Sequence, residues 1–189
     1  WTYRSQGATI EVASVWCSGT AIAKDVVLTA AHCKLDNPWV YDASITDVAL
    51  LELRVSSQND LTLWGYREDS KAPPPASVRA SRWEPHPGYA DCVARRTHPC
   101  TPDQSGCELC PDLALLHLEE PLGVLPAELA SSAEVEALTE GARVTLAGYG
   151  RTQNDRNDFA VLRLGETALA RVLPLAVTTV AGGQLPQIC

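Results

Sequence analysis

Short apolar runs of strand length, each closed off by turn residues, recur along the chain, and no stretch keeps a helical period for long. Residues 10–16, 21–28, 45–55, 61–66, 78–83, 113–118, 143–147 and 160–164 read as strands. Ser18-Gly19, Asn37-Pro38, Gln58-Asn59-Asp60, Pro73-Pro74-Pro75 and Gly182-Gly183 separate them. Many short strands with such punctuation predict an all-β sandwich or barrel. Only residues 131–139 have a helical flavour, and they are expected to form a brief connector. At 189 residues the chain is long enough for one large or two small domains.

Two segments differ from this pattern. Residues 91–111 are polar, contain prolines and hold four cysteines, so they are expected to form a long loop. Residues 119–141 mix prolines, small residues and acids, as an inter-domain connection does. The domain boundary is therefore placed between 1–120 and 121–189. No apolar run approaches the ~20 residues that cross a bilayer, so no membrane span is expected. The formal charge of −8, with no Lys/Arg cluster, repels phosphate backbones and argues against a nucleic-acid partner.

Seven cysteines imply oxidised pairs and an extracytoplasmic setting, secreted or periplasmic. The odd count leaves one without a partner within these residues, and Cys189 is the candidate. The chain begins at Trp1 without a charged-then-apolar leader, so the expectation is a removed signal or pro-segment, or a trimmed chain. Cys92, Cys100, Cys107 and Cys110 cluster with spacings of 8, 7 and 3. They could bind zinc through a Cys107-x-x-Cys110 pair, but two disulfides suit an oxidising compartment better; three pairings are open. No metal or cofactor is expected.

The most specific chemical signal is Val26-Val27-Leu28-Thr29-Ala30-Ala31-His32-Cys33. A buried strand runs into small residues whose side chains let the backbone turn sharply, so that His32 can face a cleft. Cys17 lies 16 positions before Cys33. A bond between the two would fix the backbone beside His32 and stabilise the fold by roughly 3 kcal/mol in the chain-entropy model. His86 and His117 read as structural, on a turn and a strand. The acidic pair Glu68-Asp69 reads as a solvated turn.

Cys17-Ser18-Gly19-Thr20 followed by Leu28-Thr29-Ala30-Ala31-His32-Cys33 resembles the disulfide-flanked histidine motif of the chymotrypsin/trypsin-type serine endopeptidases. Pro85-His86-Pro87-Gly88-Tyr89 resembles the segment ahead of that family's aspartate, and Asp112-Leu113-Ala114-Leu115-Leu116 the aspartate motif itself. Ala147-Gly148-Tyr149-Gly150 resembles the strand end that opens the second barrel. The resemblance implies two antiparallel Greek-key β-barrels with the active site in the cleft between them, the second barrel incomplete within these residues. It implies His32 as general base and acid, with Asp112 holding its tautomer. Asp47-Val48-Ala49-Leu50-Leu51 offers a second aspartate. Asp112 is preferred because it follows the 85–89 segment, whereas Asp47 lies only 15 residues after His32.

None of the twelve serines stands in the family's Gly-Asp-Ser-Gly-Gly-Pro turn. Ser105, between Gln104 and Gly106, precedes Asp112 and is read as a loop residue. Gln187-Ile188-Cys189 resembles the approach to that turn, which implies a nucleophile beyond Cys189, on a C-terminal segment or a second chain. Gln187, with Ile188 beside it, would then lie at the base of the substrate pocket, where a neutral amide implies no strong preference for basic side chains. The family's activation from a zymogen uses an Ile-Val-Gly-Gly-type N-terminus, which does not occur ahead of Cys17. The expected activity is hydrolysis of protein or peptide substrates through an acyl-enzyme. The alternatives are a catalytically inactive relative serving as a binding or scaffold protein, and a zinc-stabilised interaction module.

Overall fold

Alternation of buried and outward side chains, the mark of a half-buried strand, is clearest at Ala114–Leu118, where Ala114, Leu116 and Leu118 are buried and Leu115 and His117 are not. The computed structural model describes residues 2–5, 8–11, 15, 17–35, 45–49, 52–64, 74, 76–95, 110–150, 158–173 and 176–179. Within them the elements are β1 (Thr2–Ser5), β2 (Ala8–Glu11), β3 (Thr20–Ala23), β4 (Val26–Thr29), α1 (His32–Leu35), β5 (Ile45–Ala49) and β6 (Arg54–Val55). A 3₁₀ turn (Thr62–Trp64), β7 (Val78–Pro85), α2 (Gly88–Arg95), β8 (Ala114–Leu118) and α3 (Ser132–Glu136) follow, then β9 (Arg143–Gly148), β10 (Arg163–Leu173) and β11 (Ala176–Thr179). The fold is all-β with little helix.

Every pairing among the described strands is antiparallel. The strands form three sheets, ordered β2-β1-β5, β3-β4-β8-β7-β6 and β11-β10-β9. In the five-stranded sheet, Val27, Leu116 and Leu118 form the core, with Leu53, Val55, Val78, Ala80, Trp83 and Leu122 packed against them. That sheet lies before residue 120, and β9 to β11 lie after it.

The 119–141 connector crosses the β3–β4 hairpin, where the Leu122 N–H donates to the Lys24 carbonyl at 2.9 Å and the Ala127 N–H to Ala21 at 2.7 Å. It ends where the Gly141 N–H reaches Leu169 at 2.8 Å. A second seam joins the two parts of the chain. Leu61 donates to Ala160 and Leu162 to Asn59, both at 2.7 Å, around an Asp60–Val161 bridge. Ala160 is fully buried there at a φ of 68°, a backbone conformation unusual for a residue with a Cβ.

Several sequence expectations are corrected. Residues 21–28 are a hairpin, because Lys24-Asp25 makes the turn without a glycine or asparagine to signal it. Residues 45–55 split between two sheets. Residues 61–66 begin as a 3₁₀ turn: Asp60 Oδ1 accepts from the Thr62 N–H at 2.9 Å and from its hydroxyl at 2.7 Å, which draws the chain out of extended form. Of the strand expected at 10–16, residues 10 and 11 belong to β2 and residues 12–14 and 16 lie outside the described residues, while the strand expected at 160–164 begins at Arg163. The start of the expected 91–111 loop belongs to α2. No helix of the described residues is long and apolar enough to cross a membrane.

Candidate active site

His32 opens α1 directly after β4. Ala31 beneath it is fully buried, and Cys33 is buried in a disulfide with Cys17. Cys17 lies just ahead of β3 rather than on a strand. Two further features hold the two cysteine segments together. The Thr29 hydroxyl donates to the Ser18 carbonyl at 2.9 Å. A Cβ on Gly19 would stand 2.6 Å from Val27 Cγ1, so only glycine lets residues 17–19 lie this close to β4.

Asp112 arrives from the other side, at the entry to β8. Its carboxylate meets His32 twice: Oδ1 accepts from the His32 backbone N–H at 2.9 Å, and Oδ2 lies 2.7 Å from ring Nδ1. A carboxylate only accepts, so the ring proton sits on Nδ1 and the neutral imidazole keeps its lone pair on Nε2. Nε2 is 3.9 Å from Cys33 Sγ, a disulfide sulfur with no proton to give. The side chains of His32 and Asp112 are 27% and 39% exposed. The pair is thus reachable from solvent, and its coulombic part is screened by water. Chemically, the arrangement can take a proton at Nε2 and stabilise the imidazolium that results.

The second part of the chain is fastened beside this pair. The Tyr149 N–H donates to Ser18 Oγ at 3.2 Å, and the Tyr149 hydroxyl donates to the Gln58 carbonyl at 2.9 Å. Burial holds the Tyr149 phenol above its ordinary range. The aromatic residue of the Gly148-Tyr149-Gly150 segment thereby touches the segment that carries Cys17.

Of the sequence-derived site residues, the structure brings together Cys17, His32, Cys33 and Asp112. Cys92 pairs with Cys110, which excludes two of the three open pairings. Cys100, Cys107, Gln187, Ile188 and Cys189 lie outside the described residues, as do His98, Ser105, Glu68 and Asp69. Asp47 lies on β5, which pairs with β1. Cys17, His32 and Cys33 present their ligand atoms within 4.8 Å of one another, but both sulfurs are committed to a disulfide, which leaves a single imidazole. His86 accepts the Gly88 N–H on a turn, and His117 Nε2 lies on β8 between Arg82 and Glu84.

Two supports went unforeseen. The tie from Tyr149 to Ser18 and Gln58 joins residues far apart in sequence, and no local signal announces it. The helix α2 did leave a trace, since Tyr89 and Cys92, three apart and both buried, fall on one helical face.

Residues 2–171 match a family model described as Trypsin. No curated protein matches the chain.

Proposed function

The chain belongs to the trypsin family, and is thus a trypsin-like protease or a homologue of one; we propose that it is a secreted serine endopeptidase acting through an acyl-enzyme. The observation that carries this reading is the double contact of Asp112 with His32, on both the backbone N–H and ring Nδ1. In this reading Nε2 of His32 takes the proton of an attacking serine, and then delivers it to the departing amine. Asp112 keeps the ring in the tautomer that allows the first step and offsets the positive charge that follows.

The nucleophile and the amides that would bind the oxyanion belong to a serine turn that does not occur in residues 1–189. We place them on a segment after Cys189 or on a second chain. The reading includes an N-terminal barrel over 1–120 carrying both residues, and a C-terminal barrel begun within 121–189. Gln187 and Ile188 are assigned to the base of the substrate pocket. Extracytoplasmic residence is supported by two disulfides, Cys17–Cys33 and Cys92–Cys110. Substrates are proteins or peptides, and neither a metal nor a cofactor takes part in the scheme.

The test is a fluorophosphonate probe on the intact, processed protein, with the adduct mapped by mass spectrometry. One adduct per molecule, on a serine outside residues 1–189, is expected. No adduct on the intact protein would favour an inactive relative that uses the same fold to bind.

A further inference from the structure

Asp112 is attached to the fold through Cys110. The Asp112 N–H donates to the Cys110 carbonyl at 2.8 Å, and the Leu113 N–H donates to Pro111 at 2.8 Å. These are bonds between residues two apart, and the proline between them has a fixed φ, so 110–113 forms a short, stiff link. Two residues reach at most about 7 Å, so a displacement of Cys110 is passed on to the carboxylate with little slack.

The other end of the link is deeply anchored. Cys92, on α2, is 2% exposed. Tyr89 of α2 packs with Ala31 and Ala114 in one buried cluster, against which Cys110 also lies. Pro111 faces the start of α2, its Cγ 3.5 Å from where a Cβ on Gly88 would be. The cluster therefore underlies both members of the pair: Ala31 precedes His32, and Ala114 follows Asp112 by two residues.

We propose that the Cys92–Cys110 disulfide is a positioning device for Asp112, holding its carboxylate in register with both the backbone N–H and Nδ1 of His32. Without the bond, Cys110 is free to lift from α2, and the two contacts at 2.9 and 2.7 Å are not kept together. The functional meaning of this role rests on the protease reading above; the geometry does not. Cys92 and Cys110 touch no reacting group and act only through Asp112.

The test compares the full oxidised chain with the double variant Cys92→Ala/Cys110→Ala by NMR. Two signals report the pair: the far-downfield proton on His32 Nδ1 and the hydrogen-exchange rate of the His32 backbone amide. Loss of the downfield signal and a rise of at least about tenfold in amide exchange are expected. A control, Leu169→Ala in β10, lowers global stability at a distance and should leave both signals in place. Both signals intact in the double variant, with only its melting temperature lowered, would overturn the proposal and leave a simple staple. Absence of both from the native chain would refute the pairing itself, and with it the protease reading.

If the double variant does not fold, the same signals are followed in the native chain across a graded thiol–disulfide buffer. The redox state of each bond is read by alkylation and mass spectrometry. Signals that vanish in step with Cys92–Cys110 support the proposal. Signals that instead follow Cys17–Cys33, or neither bond, contradict it.

Discussion

Asp112 accepts two hydrogen bonds from His32, one from the backbone N–H at 2.9 Å and one from ring Nδ1 at 2.7 Å, so a single carboxylate fixes both where the imidazole sits and which nitrogen carries its proton. The two residues are separated by 80 positions, and the β4–β8 pairing is what joins them. Thr29 pairs with Ala114 at the end of that ladder, placing the turn after β4 beside the approach to β8.

The substitution Asp112→Asn separates position from tautomer. An asparagine oxygen can still accept the His32 backbone N–H. Its amide NH₂ then faces Nδ1, which must become an acceptor and move the ring proton to Nε2. Turnover of the processed enzyme should fall by about four orders of magnitude at neutral pH, with the circular dichroism spectrum unchanged. Activity near that of the parent would remove Asp112 from the scheme.

Asp47 heads the second aspartate motif of the sequence. Its strand β5 pairs with β1, whereas Asp112 abuts β8 and contacts His32. With the carboxylate role assigned to Asp112, Asp47→Asn should leave turnover near that of the parent. A loss of turnover comparable to that of Asp112→Asn would reverse the assignment, and parallel kinetics on the two variants decide it.

Tyr149 joins the two parts of the chain. Removal of its hydroxyl in Tyr149→Phe deletes the bond to the Gln58 carbonyl and should cost roughly 0.5–1.5 kcal/mol in chemical denaturation. Because burial raises the phenol in the folded state, the unfolded chain ionises first as pH increases. The stabilisation is therefore complete below pH about 10, the ordinary phenol value, and is lost as pH rises through the higher folded value. Ultraviolet titration should show a late-ionising phenol in the parent that is missing in Tyr149→Phe.

Much of this arrangement was legible from the residues, and the rest was hidden for physical reasons. Strand alternation at 113–118 and 143–147 predicted β8 and β9 well, because side chains alternate between buried and half-buried in β8 and between half-buried and exposed in β9. The hairpin inside 21–28 was missed because its turn is Lys24-Asp25, and polar residues without glycine leave no break in an apolar run. The Thr62–Trp64 turn was read as strand because its cause is the Asp60 side chain, which competes with the backbone for the Thr62 N–H. His32 and Asp112 could be named from motifs, but their distance is a property of the sheet. Cysteine pairing carries no local signature, and Cys92–Cys110 emerged only when α2 brought Cys92 beneath the approach to Asp112.

The central claim is that His32 is the base that activates a serine, and acylation measured in the pre-steady state tests it most directly. With an activated ester and the intact, processed protein, His32→Ala should lower the acylation rate by about 10⁴-fold or more while the fold persists, since the side chain is outside the buried core. An acylation rate in His32→Ala within tenfold of the parent would contradict the account.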